Sequence, residues 1–463
     1  MSELTGLIRE TQTVVRLAMS NRSLVITLGQ LRAHQLTWAN FKEKLLKPLR
    51  ADLAVCVPDD PFFDFTNPFF VNARFRWLIP DASDLADTFD RIQRLLGGSE
   101  DWRVLCDVKG SWLGRISQSN QPGAAALLYV LRWFMLSNIQ AASLTDVYDR
   151  FIITRSDYYL LCPHPPLEFL DAESLWIPDG EDYGGLTDKF LIVSASDLVA
   201  GCNLIDDFLL HPHQMRDAMS SRSNWNIEQI VAFHFTRNGL ISKIRRFPYI
   251  GFLVRAPDDP TAHSAGKFNP EVGMVVKYPS EMHEALRYGE LIHSNDDWKL
   301  YFASQNFVDL FPARVYTTHG TVLYVDEVSQ ELRHGPLSDS PANVFFEGAD
   351  AFGRIVHRQA NQVSAVLQPI DRGKSSSVLT ATDDFQDEST KFERIPVMKG
   401  FSLDQTLMTN NLVGLKGGGL YLSAEPDGRV TLSRPHCYMW EYFRLIPDFR
   451  MKMADRWRFG TCV

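Results

Sequence analysis

The sequence predicts a multidomain chain, an α/β domain followed by an all-β domain. Three observations lead there. Residues 24–57 read strand, helix, strand: Leu24-Val25-Ile26-Thr27-Leu28, a helix over about Trp38 to Leu46 with Thr37 as its N-cap, then Ala51 to Val57. A second apolar run, Phe151-Ile152-Ile153, ends abruptly in Thr154-Arg155-Ser156-Asp157. In open α/β sheets, ligands sit beyond the carboxyl ends of such strands. Near residue 297 the pattern changes: short β-rich segments alternate with turn residues, and convincing long helices vanish. The expected division is therefore 1–296, 297–447 and a tail, 448–463.

The elements follow in order. Residues 3–19 carry Leu4, Leu7, Ile8, Val14, Val15 and Ala18 at helical spacing. The βαβ unit at 24–57 comes next, its crossover right-handed. Arg74 to Ile79 is a third strand, and the helix over about Leu85 to Leu96 puts Leu85, Phe89, Ile92 and Leu96 on one face. Val104 to Val108 is a further candidate strand. Gln121-Pro122-Gly123 opens a buried helix, and the most apolar stretch, Ala124 to Ile139, is interrupted by Arg132. Beyond the 151–154 strand lies a polar loop, Pro178-Asp179-Gly180-Glu181-Asp182-Tyr183-Gly184-Gly185, with Asp188 just after it. Phe190 to Ser194 reads as a strand, Leu198 to Leu210 as a helix, Trp225 to His234 as a mixed segment, and Phe252 to Arg255 as a strand ending in a turn.

The second half repeats weakly. Gly320-Thr321-Val322-Leu323-Tyr324-Val325-Asp326 resembles Gly418-Gly419-Leu420-Tyr421-Leu422-Ser423-Ala424. Segment endings recur at Asn343 to Glu347, Lys391 to Pro396 and Trp440 to Pro447. These imply three units, each with about four short strands, which bury their apolar faces only against one another. Three copies of four strands is the count of a β-trefoil.

Composition narrows the function classes. The chain is 45% hydrophobic and 12% aromatic, enough for full cores. Its net charge of −9 and lack of a long basic run argue against broad nucleic-acid binding. The six cysteines form no CxxC pair, so neither a zinc site nor a disulfide framework is expected. The longest apolar stretch is too short to span a bilayer. A cytoplasmic chain, or one peripheral at a membrane, is expected.

Several residues are of types that handle a phosphate leaving group. Asp157, at a strand end, stands where a metal or a phosphate-bearing ligand would be held. Gly29, after the first strand, would let backbone approach a nucleotide, and Arg32 could meet a phosphate; a tight turn with a surface arginine is the plainer reading. Arg255 ends another strand and is a phosphate contact candidate. Arg245-Arg246 reads as a solvated pair. His263 is a candidate ligand late in the domain, or an exposed loop histidine. Trp133, Trp176 and Trp225 are core or cleft-wall aromatics.

Two resemblances can be named on these residues. Gly419 to Val430, followed by Trp440-Glu441-Tyr442-Phe443, resembles fascin-like β-trefoils, which bind actin, glycans or other proteins, or merely scaffold. Residues from about 20 to 295 resemble glycosyltransferases with a Rossmann-like GT-A nucleotide-sugar domain, through Leu28-Gly29-Gln30-Leu31-Arg32, Ala51 to Val55, Arg155-Ser156-Asp157 and the loop from Ile177 to Asp188. This implies a UDP- or GDP-sugar donor near Gly29, Gln30, Arg32, Arg155 and Arg255. It implies Mn²⁺ or Mg²⁺ on Asp157, with His263 as a further ligand. It implies a glycan or other hydroxyl acceptor, as in polysaccharide biosynthesis. For an inverting reaction, Asp182, Asp188 and Glu181 are the candidate bases. The first acid of the family's Asp-x-Asp motif is Arg155 here. Arg155 could neutralise diphosphate itself, or pair with Asp157. A rival reading is a non-catalytic glycan- or protein-binding chain with a degenerate transferase domain. A sulfotransferase ranks last, for want of a phosphate-binding P-loop.

Overall fold

The computed structural model describes residues 22–59, 63–256, 266–270, 272–305, 312–337, 340–341, 343–349, 352–359, 362–371, 377–382, 390–397 and 412–448. The expected helix at 3–19, His263 and nearly all of the 448–463 tail lie outside them. The chain divides into two compact units, Met1–Ala285 and Leu286–Val463.

In the first unit, β1 (Ser23–Leu28) is buried along its whole length. So is β4 (Arg150–Thr154). Continuous β-branched runs of this kind suit central strands covered on both faces. With β2 (Asp52–Asp59), β3 (Phe75–Pro80), β6 (Leu175–Asp179), β7 (Leu191–Ser194) and β8 (Ile244–Pro248), they form a mixed seven-stranded sheet ordered β3-β2-β1-β4-β7-β6-β8. β1 pairs in parallel with both β2 and β4, so the strand order reverses beside it and a crevice opens at the carboxyl ends of β1 and β4. β7 runs antiparallel to its neighbours β4 and β6. A second, antiparallel sheet joins β5 (Tyr158–Leu160), β9 (Gly251–Arg255), β10 (Lys267–Asn269) and β11 (Met274–Val276).

Some local expectations fail for identifiable reasons. Thr37 is not an N-cap: the helix begins at His34, and the Thr37 hydroxyl donates inward to the Ala33 carbonyl at 3.0 Å. Val104 to Val108 is not a strand. Trp102–Asp107 forms a 3₁₀ helix, capped by the Asp101 side chain on the Arg103 N–H and burying Trp102 and Leu105, three residues apart. Leu198 to Leu210 is two short helices, Leu198–Cys202 and Asp206–Leu210. The 225–234 segment is a full helix, Ile227–Arg237, opened by a capping box between Asn226 and Gln229. Helix also persists past residue 297, as Asn295–Gln305.

Among the described residues, the second unit is mainly β from Ala313 onward. Its strands are β12 (Ala313–Thr317), β13 (Val322–Val325), β14 (Leu332–Gly335), β15 (Val344–Ala349), β16 (Phe352–Gln359), β17 (Gln362–Asp371), β18 (Ser377–Thr382), β19 (Lys391–Pro396), β20 (Leu412–Gly417), β21 (Leu420–Ala424), β22 (Val430–Arg434) and β23 (Tyr442–Pro447). The pairings β12–β15, β15–β16, β16–β19, β19–β20, β20–β23 and β23–β12 close a six-strand antiparallel barrel. The other strands form the hairpins β13–β14, β17–β18 and β21–β22. The three recurring segment endings are the ring strands β15, β19 and β23. Val315, Leu323, Leu367, Leu415 and Phe443 meet in its core. Leu415 is fully buried there. Leu415→Ala should therefore cost about 2–5 kcal/mol, read as a lower denaturant midpoint for the barrel's unfolding.

Candidate functional site

A cavity of about 910 Å³ lies in the first unit, over the carboxyl ends of β1 and β4. Its walls include Leu28, Gly29, Gln30 and Arg32 after β1, Arg155 after β4, and Arg255 at the end of β9. Asp188, Lys189, Glu228, Lys277 and Tyr278 are among its polar lining, and Leu127, Leu128 and Leu131 of the helix Ala125–Ala141 among its apolar lining. Five of the expected donor-site residues are thus brought together, with Asp188.

Gly29 is required by its backbone. Its φ is +96°, and a side chain there would meet nothing within 4 Å. Its N–H donates to the Cys56 carbonyl at 3.1 Å, completing the β1–β2 ladder, and its positive φ then turns the chain off β1. The Ser156 hydroxyl donates to the Gln30 carbonyl at 3.2 Å, tying the β1 and β4 ends together.

Beneath the cavity, Asp157 is held by two arginines. Its backbone carbonyl accepts the Val254 N–H at 2.9 Å, continuing the β5–β9 pairing. That register sets Asp157 beside Arg255. Arg155 donates from Nε to Oδ1 at 2.9 Å and from Nη2 to Oδ2 at 3.0 Å, while Arg255 Nη1 also donates to Oδ2. Burial opposes the charge on Asp157, but the two guanidinium groups outweigh it and hold the carboxyl well below its usual range. A divalent cation needs carboxylate oxygens free to coordinate it. Both oxygens of Asp157 are occupied by guanidinium donors. Among the described residues, no group of three or more His, Cys, Asp and Glu could hold a metal ion. These residues do not fit the Mn²⁺ or Mg²⁺ expected at Asp157, and His263 lies outside the described residues.

The polar loop behaves differently from expectation. Asp182 does not line the cavity. Its Oδ2 accepts from Arg246 at 2.6 Å and its Oδ1 accepts the Thr187 N–H at 3.2 Å, so it organises the loop. Arg246 is correspondingly buried in part, rather than solvated. Glu181 is also outside the lining. The loop packs on the start of the helix Ile227–Arg237: Asn226 donates to the Tyr183 carbonyl at 2.9 Å, and Leu186 N–H to the Glu228 carbonyl at 2.9 Å. This contact delivers Glu228, missed in the sequence, to the cavity beside Asp188. Burial, then the Asp188 charge, push the Glu228 carboxyl upward, with Lys189 partly offsetting them.

Two lysines were also missed. Lys189 is buried, donates to Glu281, and lies 4.1 Å from the Tyr183 ring centroid; Tyr183 donates to the same carboxylate at 3.0 Å. Lys277 follows β11, placed by its N–H on the Leu253 carbonyl at 2.9 Å. Its ammonium sits 4.8 Å from the Tyr278 ring centroid. Burial, then the charges of Arg155 and Arg255, lower it to about 7. Trp133, Trp176 and Trp225 are absent from the lining.

No family model matches the chain, and no curated protein matches it. Among solved structures, the apo form of mouse xyloside xylosyltransferase 1 is similar over 49% of this chain and 84% of that chain, at 9% identity and a TM-score of 0.26.

Two outcomes follow from this geometry. An alanine Cβ at Gly185 would stand 2.1 Å from the Glu228 carbonyl oxygen. Gly185→Ala should therefore lower stability by about 1–3 kcal/mol in thermal unfolding. Asp157→Asn leaves the buried Arg255 and the half-buried Arg155 without their anion, and should cost about 3–5 kcal/mol near neutral pH. Because the folded pKa of Asp157 is depressed, its contribution is present above the unfolded carboxyl value near 3.8 and is lost as pH falls toward the folded one. The stability gap between wild type and Asp157→Asn, measured by denaturant unfolding, should narrow below about pH 4.

Proposed function

We propose that the first unit is a GT-A-type glycosyltransferase that moves a sugar from a UDP- or GDP-sugar to a hydroxyl acceptor. One observation carries the reading. A cavity at the reversal of strand order is lined by arginines and lysines together with the carboxylates Asp81, Asp188 and Glu228. Open α/β sheets hold phosphate-bearing ligands at that place. Guanidinium and ammonium groups there would stabilise charge developing on a departing diphosphate. Leu127, Leu128 and Leu131 offer an apolar wall for the donor's base or the acceptor.

In an inverting reaction, the acceptor oxygen forms a bond to the anomeric carbon as the bond from that carbon to the phosphate oxygen breaks. The electron pair leaves with the nucleoside diphosphate, and the hydroxyl proton passes to a carboxylate. Glu228 is suited to receive it, since its raised affinity for protons brings it toward the working pH. Asp188 is the neighbouring charge that raises it. Asp182, tied to Arg246, serves loop structure in this reading.

We propose further that the barrel unit is a β-trefoil that binds the acceptor. Its six ring strands and three hairpins support this, as do the exposed Tyr438 and Trp440 before β23, which offer faces for stacking on sugar rings.

Release of nucleoside diphosphate from UDP- and GDP-sugars, with glycan acceptors present, tests the reading. Glu228→Gln should lower turnover by about 10²–10⁴-fold. In wild type the rate should climb with pH as Glu228 loses its proton, and this limb should be absent in the variant. Folded protein that binds glycan but releases no diphosphate from any donor would instead support a non-catalytic binding role.

A further inference from the structure

We propose that the cavity binds a diphosphate without a divalent cation, with Arg155, Arg255 and Lys277 taking the metal's place and Asp157 orienting the two arginines. The identity of the diphosphate as that of a nucleotide-sugar rests on the reading above; the cation-free clamp does not.

Arg155 and Arg255 share a single carboxylate, so their group carries an excess positive charge. Arg255 is 2% exposed, lines the cavity, and keeps its Nε without a hydrogen-bond partner among the described residues. A buried guanidinium with an unused donor is costly unless something completes it. Lys277 adds a third cation to the same wall, with no carboxylate partner among the described residues. The groups that face it from each neighbouring element are Arg155 and Asp157 on the β4–β5 turn, Arg255 on β9, Lys189 before β7, and the Tyr278 ring beside it. Among these groups cations outnumber the anion, and burial, then the charges of Arg155 and Arg255, lower the proton affinity of Lys277. An anion with several oxygens relieves all three conditions together. It accepts from the two guanidinium groups of the cavity wall, offsets the excess charge and restores the proton on Lys277. A divalent cation at the same place would meet guanidinium groups instead of open carboxylate oxygens.

Calorimetry with UDP, GDP and inorganic pyrophosphate, each with EDTA and with Mn²⁺, tests this on the full chain. Titrations at about pH 7.5, in two buffers of different ionisation heat, report protons taken up. Binding in EDTA within about twofold of that in Mn²⁺, with net proton uptake, is the expected result. Lys277→Met should weaken binding in EDTA by about 10- to 100-fold and abolish the uptake, while Lys277→Arg should restore affinity without uptake. Circular dichroism on each variant checks folding. Binding that requires Mn²⁺ and vanishes in EDTA overturns the proposal. Pyrophosphate binding in EDTA with neither nucleotide bound keeps the clamp and removes the nucleotide-sugar reading. No binding of any of the three, in folded wild type, overturns both.

Discussion

The site depends on one carboxylate shared by two arginines. Asp157 is almost fully buried, and a lone buried anion would be forced to take up a proton. Arg155 and Arg255 prevent that, and in turn Asp157 lets two guanidinium groups sit side by side beneath a cavity. The β4–β5 turn and the end of β9 are fixed relative to each other by this ion triad and by the Val254 N–H on the Asp157 carbonyl. Since β11 pairs with β9, the position of Lys277 follows from the same anchor. The crevice at the reversal of strand order is common to many open sheets; the triad is what gives this one its sign.

How much of this was legible in the sequence depends on the range of the interaction. β1 and β4 are buried along their length and read as unbroken apolar runs, so the sheet's centre was plain. Gly29, Gln30, Arg32 and Arg155 follow directly from those strand ends, and all four line the cavity. Asp157 was read as a metal ligand because its neighbour in sequence is visible and its partner in space is not: Arg255 lies 98 positions along the chain. Lys277 sits in a short strand-end segment whose place is set by antiparallel pairing, and no local pattern marks it. Glu228 did leave a signal, the Asn226 and Gln229 spacing of a capping box, which announces a helix start and hence a residue in its first turn.

The loop between β6 and β7 shows the same division of labour. Its acidic residues looked alike, yet the structure separates them by contact. Asp182 turns inward to Arg246 and the loop backbone, while Asp188 faces the cavity. Gly185 has no need of an unusual backbone angle; it is small because the Glu228 carbonyl passes close by. Composition marked the loop as a functional candidate, but only packing against the helix Ile227–Arg237 assigned separate tasks within it.

The closed barrel of the second unit carries a different consequence. Each of its six ring strands is hydrogen-bonded on both flanks, so the ring offers no edge onto which another chain's strand could add. Register is locked around the whole circuit, and a one-residue slip in any ring strand would have to propagate through all the others. The turns that join hairpin strands bear no such constraint. Sequence drift and insertions can therefore accumulate in the turns while the ring stays unchanged, which makes this half of the chain suited to acquiring new surfaces without refolding.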